Sequence, residues 1–251
     1  MISIIHKEHE GLPFLEVIEE NRIEEPLPLI FFYHGWTGRK ENVLTQGYEL
    51  AKRGFRVVLP EALFHGERAE GPVESHQLQF WQIIEKSIEE LPKLVKFYAE
   101  EDLIDGDKVA VSGLSMGGIT TCAMFTVYPW IKCAVCLEGT PNPVAFAKLL
   151  VDNLPGIENV PEDYIHEQLS GLNQIDLSLN PENINNRPLH FWHGTADNMV
   201  PYDLTKKFFD EVQGKPYAKN VTMTTTPGAG HKVSFDTTVE MADKFVEYFA
   251  D

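Results

Sequence analysis

The chain has 251 residues, 43% of them hydrophobic, enough to bury a large core, so one α/β domain over 1–251 is expected rather than two small ones. Its formal charge of -17 is spread along the chain and repels phosphate backbones and anionic lipid, which argues against nucleic acid or a membrane as partner. No stretch nears the roughly 20 apolar residues of a spanning helix, and the opening MISIIHKEHEGLPF has neither the basic nor the apolar region of a signal peptide, so a cytoplasmic location is expected.

Apolar runs alternate with amphipathic ones almost from end to end. ISIIHKE and LPFLEVIEE, parted by EGLP, read as an antiparallel pair. PLIFFYH is a buried strand, ENVLTQGYELAKRG a helix closed by Gly54, and FRVVLPE the next strand. The long stretch SHQLQFWQIIEKSIEELPKLVKFYAEE is a helix with Pro92 as a bend point, since proline removes an intrahelical donor. DKVAVSG (strand), SMGGITTCAMFTVYP (helix) and IKCAVCLEG (strand) follow. After an interruption come RPLHFWHG (strand), PYDLTKKFFDEVQG (helix), NVTMTTTPG (strand) and VSFDTTVEMADKFVEYFA (helix). Short apolar strands joined by helices predict a mostly parallel sheet covered on both faces.

The interruption, residues 141–186, holds two short helical patterns and several Pro, Gly and Asn breaks but no strand. It is too long for a simple connection and is expected to form a small helical cap over the C-terminal edge of the sheet, where ligands of open α/β sheets bind. Three cysteines, Cys122, Cys133 and Cys136, lie in apolar surroundings. The C-x-x-C pair sits in a strand, where a spacing of three sends the thiols to opposite faces, so inert core thiols are expected, and no metal site.

Gly113-Leu114-Ser115-Met116-Gly117 is G-x-S-x-G between a predicted strand and a predicted helix, the setting in which a strained turn lifts a serine hydroxyl clear of the sheet. A serine is a poor nucleophile until a base takes its proton, so a histidine and a carboxylate are needed. Asp197 follows the strand RPLHFWHG and His231 lies in the last loop, giving the order Ser, Asp, His. Glu138 and Asp203 are the alternative acids. His6, His9, His76 and His166 lie in polar stretches and His190 within a strand, whereas His34, His65 and His193 are placed to line a site. Oxyanion donors are expected from the backbone N–H of Met116 and, in the loop after PLIFFYH, of Trp36.

These segments, His34-Gly35-Trp36, Gly113 to Gly118, His193 to Asp197 and Gly228 to His231, resemble the α/β-hydrolase superfamily. Within it, they are similar to the bacterial serine esterases of the dienelactone hydrolase and prolyl oligopeptidase branch. The resemblance covers nearly the whole chain and implies an eight-stranded, mostly parallel sheet with helices on both faces. It also implies a Ser115-Asp197-His231 triad, an oxyanion hole at Trp36 and Met116, and a variable cap. Dienelactone hydrolase carries cysteine where this chain has Ser115, and no propeller domain precedes the fold, so neither substrate is inherited. The function expected is hydrolysis of small or medium acyl or aryl carboxylic esters, without metal or organic cofactor. His34, Phe64, His65, Phe146 and Leu149, with Leu150, are the expected pocket lining. A thioesterase or small peptidase on the same residues is the alternative, with Arg39, Lys40 or Arg68 to hold an anionic tail, and a non-catalytic binding protein of the same fold is a further one.

Overall fold

The computed structural model describes residues 1–153 and 156–250. The opening runs form β1 (Ile2–His9) and β2 (Leu12–Glu19), joined at Glu10 and Gly11. Both turn residues have positive φ, 50° and 76°, the backbone of a tight hairpin turn matched to strand twist. The alternation then runs β3 (Leu27–Tyr33), α1 (Leu44–Ala51), β4 (Arg56–Pro60), α2 (Phe80–Glu100), β5 (Ile104–Leu114), α3 (Met116–Val127) and β6 (Cys133–Leu137). Between β6 and the next strand lie α4 (Pro143–Asn153), α5 (Glu162–Leu169) and α6 (Leu172–Ile175). The chain closes with β7 (Leu189–Gly194), α7 (Tyr202–Val212), β8 (Val221–Thr226) and α8 (Phe235–Phe249).

The eight strands form one sheet in the order β1-β2-β4-β3-β5-β6-β7-β8. β2 pairs antiparallel with β1 and β4, and every other pairing is parallel. This is the α/β-hydrolase arrangement. β4 and β6 are buried at every residue because helices cover both faces, which explains their unbroken apolar runs. On one face Phe31, Val111 and Cys136 pack with Ile84 of α2, Ile119 and Phe125 of α3 and Phe208 of α7. On the other, Ile30, Phe32 and Cys133 pack with Leu50 of α1 and Met241 and Phe245 of α8. The thiols of Cys133 and Cys136 thus enter opposite layers, as period-two alternation requires.

Two boundaries differ from the sequence reading. β5 begins at Ile104 because a register shift between Leu27 and Leu29 lets Ile104 pair with Leu27 ahead of the apolar run. The start of the long predicted helix is instead two short 3-10 turns within Val73–Gln79, broken by a kink at His76, and α2 continues through Pro92. Two cations, Arg56 buried and Arg187 half-buried, tie the elements together. Arg56 donates to Glu16 at 2.8 Å, joining β4 to β2. Arg187 donates to the carbonyls of Phe125 (2.7 Å), Tyr128 (2.9 Å) and Ile131 (2.9 Å), closing the C-terminal end of α3 with a cation. Among the described residues no helix is long and apolar enough to cross a membrane.

Candidate active site

β5 delivers Ser115 at the centre of the sheet. Ser115 has φ 56° and ψ -120°, a conformation that side chains rarely adopt, and its N–H donates to Leu137 O (2.9 Å) across the strand end. Only glycine fits on either side. A Cβ on Gly113 would lie 2.4 Å from Gly117 O, and one on Gly117 would lie 2.1 Å from Tyr33 O. The reversal is so tight that α3 starts one residue later, leaving the N–H of Met116 without an intrahelical acceptor. The Trp36 N–H, in the loop after β3, likewise has no partner among the described residues. Its carbonyl is engaged on the other side by His65 Nε2.

His231 Nε2 lies 2.8 Å from Ser115 Oγ, and His231 Nδ1 lies 2.7 Å from Asp197 Oδ2. An ionised carboxylate only accepts, so Nδ1 carries the hydrogen and Nε2 presents its lone pair to the serine O–H. Asp197 is itself fully engaged: Oδ1 accepts from the N–H groups of Met199 (2.9 Å) and Val200 (3.0 Å), and Oδ2 also receives His193 Nε2 (3.1 Å). Burial alone would raise the Asp197 carboxyl, but the hydrogen bonds from His193 and His231 overcome it and hold the group well below the usual carboxylate range. Burial alone would depress His231, yet the bond to Asp197 and the neighbouring Glu138 and Asp197 charges leave its imidazole raised.

Glu138, just past β6, completes the cluster. Its Oε2 lies 4.0 Å from His231 Nδ1, and burial pushes its carboxyl up to about 7. Asp203, the other alternative acid, begins α7 instead and lies beside Lys206, Lys207 and Asp210. Glu138, Asp197 and His231 offer ligand atoms within 4.8 Å of one another, as do Glu41, Glu61 and Glu67. In the second group the Lys40 ammonium already supplies a cation, 2.8 Å from Glu61 and 3.0 Å from Glu41.

A cavity of about 270 Å3 opens over Ser115. Its floor includes Trp36 and Met116, one wall Phe80 and Trp81 at the start of α2, and the far wall Phe146 and Leu150 of α4 with Tyr164 and Leu169 of α5. None of its described lining residues is charged. Of the residues expected to line the pocket, Phe146 borders this cavity, and His34, Phe64, His65 and Leu149 are not among the residues lining it. His34 is buried, accepting the Ala62 N–H (3.2 Å) on Nε2 and lying 3.4 Å from Glu61. His65 is buried against the Trp36 and Leu63 carbonyls. Phe64 stacks on His76, ring centroids 3.9 Å apart. Leu149 and its neighbour Leu150 are both exposed, and of the two only Leu150 is among the residues lining the cavity.

The three basic residues considered for an anionic tail are also committed elsewhere or outside. Lys40 is buried among Glu41, Glu61 and Glu67, and its ammonium is held charged by them. Arg68 is bidentate to Glu90 at 2.9 and 2.8 Å. Arg39 is exposed beside Glu41. The aromatic wall from Phe80 and Trp81 was missed by sequence reasoning, which read this stretch only as part of a long helix; both rings pack on the same core layer and border the cavity.

Residues 81–251 match the prolyl oligopeptidase family. The YitV protein of Bacillus subtilis, by its name a candidate esterase, is 44% identical over 217 residues, 85% of this chain and 85% of its own length. Esterase YjfP of Escherichia coli is 29% identical over 249 residues, covering 99% of this chain and 98% of its own. Among solved structures, TT1662 from Thermus thermophilus aligns with a TM-score of 0.76 at 21% identity, covering 99% of this chain and 98% of that one. Est1E from Butyrivibrio proteoclasticus with ferulic acid bound aligns with a TM-score of 0.71 at 19% identity, covering 98% and 100%.

Proposed function

The chain belongs to the prolyl oligopeptidase family, and from that premise we propose that it hydrolyses carboxylic esters with a small or medium apolar acyl or aryl group, through an acyl-enzyme on Ser115. One observation carries the reading: a continuous chain of hydrogen bonds from Ser115 Oγ through His231 to buried Asp197, beneath a cavity none of whose described lining residues is charged.

Ser115 Oγ attacks the ester carbonyl while its proton passes to His231 Nε2. Asp197 fixes the imidazole tautomer and stabilises the charge that forms on it. The N–H groups of Met116 and Trp36 hold the developing oxyanion. The leaving alkoxide departs as the alcohol with the proton from His231, and water repeats the sequence to release the acid and restore Ser115. The residues themselves carry each proton, and no metal or cofactor enters any step.

The segment 141–186 acts as the cap: α4 and α5 supply the outer wall and so bound the acyl group. A cavity of about 270 Å3 has the volume of roughly nine liquid waters and lies just under the range of drug-sized sites. Short chains and single aromatic rings fit within it, whereas a long fatty acyl chain would extend beyond its described walls. The aryl acid bound to the neighbour Est1E supports including aryl esters. The test is a series of p-nitrophenyl acetate, butyrate, octanoate, palmitate and benzoate, with a matched thioester and anilide. The proposal expects kcat/KM to be highest among the shorter acyl groups and benzoate, to fall at least about tenfold by palmitate, and to be lower for thioester and anilide. Preference for palmitate, or turnover confined to the thioester or anilide, would refute it.

A further inference from the structure

Glu138 occupies a position that a purely structural acid would not hold. Its backbone is bent into the left-handed region at φ 41°, and its N–H donates to Trp192 O (2.9 Å), so β7 fixes where the side chain starts. The side chain is buried, yet Oε2 has no hydrogen-bond partner among the described residues. Buried carboxylates are ordinarily satisfied by donors, as Asp197 is by four, because an unpaired buried charge is costly. The groups facing Glu138 are His231 from the loop after β8, and Asp197 and His193 from β7 and the loop that follows it.

We propose that Glu138 is a positioning residue that acts on His231 by charge. Neutral, it leaves the His231–Asp197 pair undisturbed. Ionised, it adds a second negative charge beside the imidazolium that forms when Ser115 gives up its proton. Glu138 takes no proton from the substrate or from Ser115. This inference rests on the reading of Ser115, His231 and Asp197 as the reacting groups.

The two groups are close enough to titrate as a pair. When the pair holds one proton, placing it on Glu138 leaves His231 free as base, whereas placing it on His231 disables the base. Burial of Glu138 favours the first arrangement. As pH rises further the proton leaves Glu138 while His231 stays neutral, and the site then has both a free base and the extra charge that favours its protonation in the transition state. The same charge that raises the imidazole pKa therefore also raises the rate at alkaline pH.

The test is the pH profile of kcat/KM for wild type, Glu138→Gln and Glu138→Asp on one neutral ester. Losing the charge lowers the stability of the imidazolium. In Glu138→Gln the further rise that follows ionisation of Glu138 is expected to vanish, which lowers the alkaline plateau by about tenfold and moves the apparent midpoint of the profile to lower pH, where His231 alone titrates. KM should be almost unchanged, since Glu138 is not among the residues lining the cavity. Glu138→Asp keeps a carboxylate further back and should lie between the two. A folded Glu138→Gln with both midpoint and plateau unmoved overturns the proposal. So does a uniform loss at every pH, which marks a structural role. Should Glu138→Gln not fold, the His231 ring is followed by NMR in wild type: a two-step titration supports the coupling, and a single step overturns it. Labelling of wild-type Ser115 by a fluorophosphonate separates the cases, because an unlabelled serine refutes the triad reading itself, whereas a labelled serine with an unmoved profile refutes only the role of Glu138.

Discussion

Asp197→Asn exchanges one oxygen for an amide nitrogen, and the surrounding hydrogen bonds dictate which way the amide turns. The N–H groups of Met199 and Val200 donate to Oδ1, at 2.9 and 3.0 Å, so the amide oxygen must stay there. The NH2 then faces His231 Nδ1 and His193 Nε2, where Oδ2 accepted both. His231 can meet this donor only by moving its hydrogen to Nε2. That nitrogen is 2.8 Å from Ser115 Oγ and would now present an N–H where a lone pair is required. The base is lost through its tautomer while its position is kept. Where a triad acid is exchanged in this way, kcat falls by about 10,000-fold, equivalent to about 5 kcal/mol of transition-state stabilisation. His193 Nε2, which also donates to Val200 O (2.9 Å), meets a second donor, so a stability loss of about 1–3 kcal/mol is expected as well. Steady-state kinetics on a short p-nitrophenyl ester, with a circular dichroism melt to verify folding, measures both. A folded variant that keeps more than about a tenth of wild-type kcat would refute the tautomer argument, and if Glu138→Gln were then inactive the acid would have to be relocated there.

Glu138→Gln should also change stability with a definite sign. A carboxyl whose pKa is raised by burial from 4.5 to about 7 favours the fold below pH 4.5, and this contribution is lost as pH rises through 7. The gap corresponds to about 3 kcal/mol, so the neutral isostere should unfold at higher denaturant than wild type at pH 8 and at nearly equal denaturant at pH 4; equal midpoints at pH 8 would refute the burial argument. Arg187→Ala removes the donor to the carbonyls of Phe125, Tyr128 and Ile131 and uncovers the Phe125 ring, 3.7 Å below the guanidinium. A loss of about 3 kcal/mol in urea unfolding is expected, with Arg187→Lys recovering only part of it and kcat/KM unchanged in both below their melting range. Phe146→Ala opens the wall where Phe146 meets Phe80 and Trp81 edge-on, at centroid distances of 6.4 and 6.3 Å. The acyl-length optimum should move to longer chains and stability should fall by about 3 kcal/mol; an unmoved optimum would place the acyl group elsewhere.

The fold was legible because its signals are local and repeated. Buried parallel strands are continuous apolar runs, and the strand-to-helix reversal at Ser115 needs glycines two residues away on both sides. The convergence of Ser115, Asp197 and His231 was legible from their order and from their placement at strand ends, since a parallel sheet collects those ends along one edge. The pocket wall was not. Leu149 and Leu150 are neighbours on a short helix and equally exposed, and which of them borders the cavity depends on how that helix is set against Phe80 and Trp81 through Phe146. His34 and His65 end strands or rim loops as site residues do, but Glu61, 27 residues beyond His34, draws Lys40 and His34 into one buried cluster. Such a partner is chosen by tertiary packing, with no period or spacing to announce it. Arg187 opens a run that looks like strand, yet it precedes β7 and caps a helix about 60 residues earlier in the chain.

The central claim is that Ser115 is an activated alcohol within reach of a reactant. Peptide mapping by mass spectrometry after exposure to a fluorophosphonate tests it directly. The account predicts one phosphonyl adduct, on Ser115, that forms far more slowly in His231→Ala and is absent in Ser115→Ala. A folded wild type that stays unmodified, or that carries its adduct on another side chain, would contradict it.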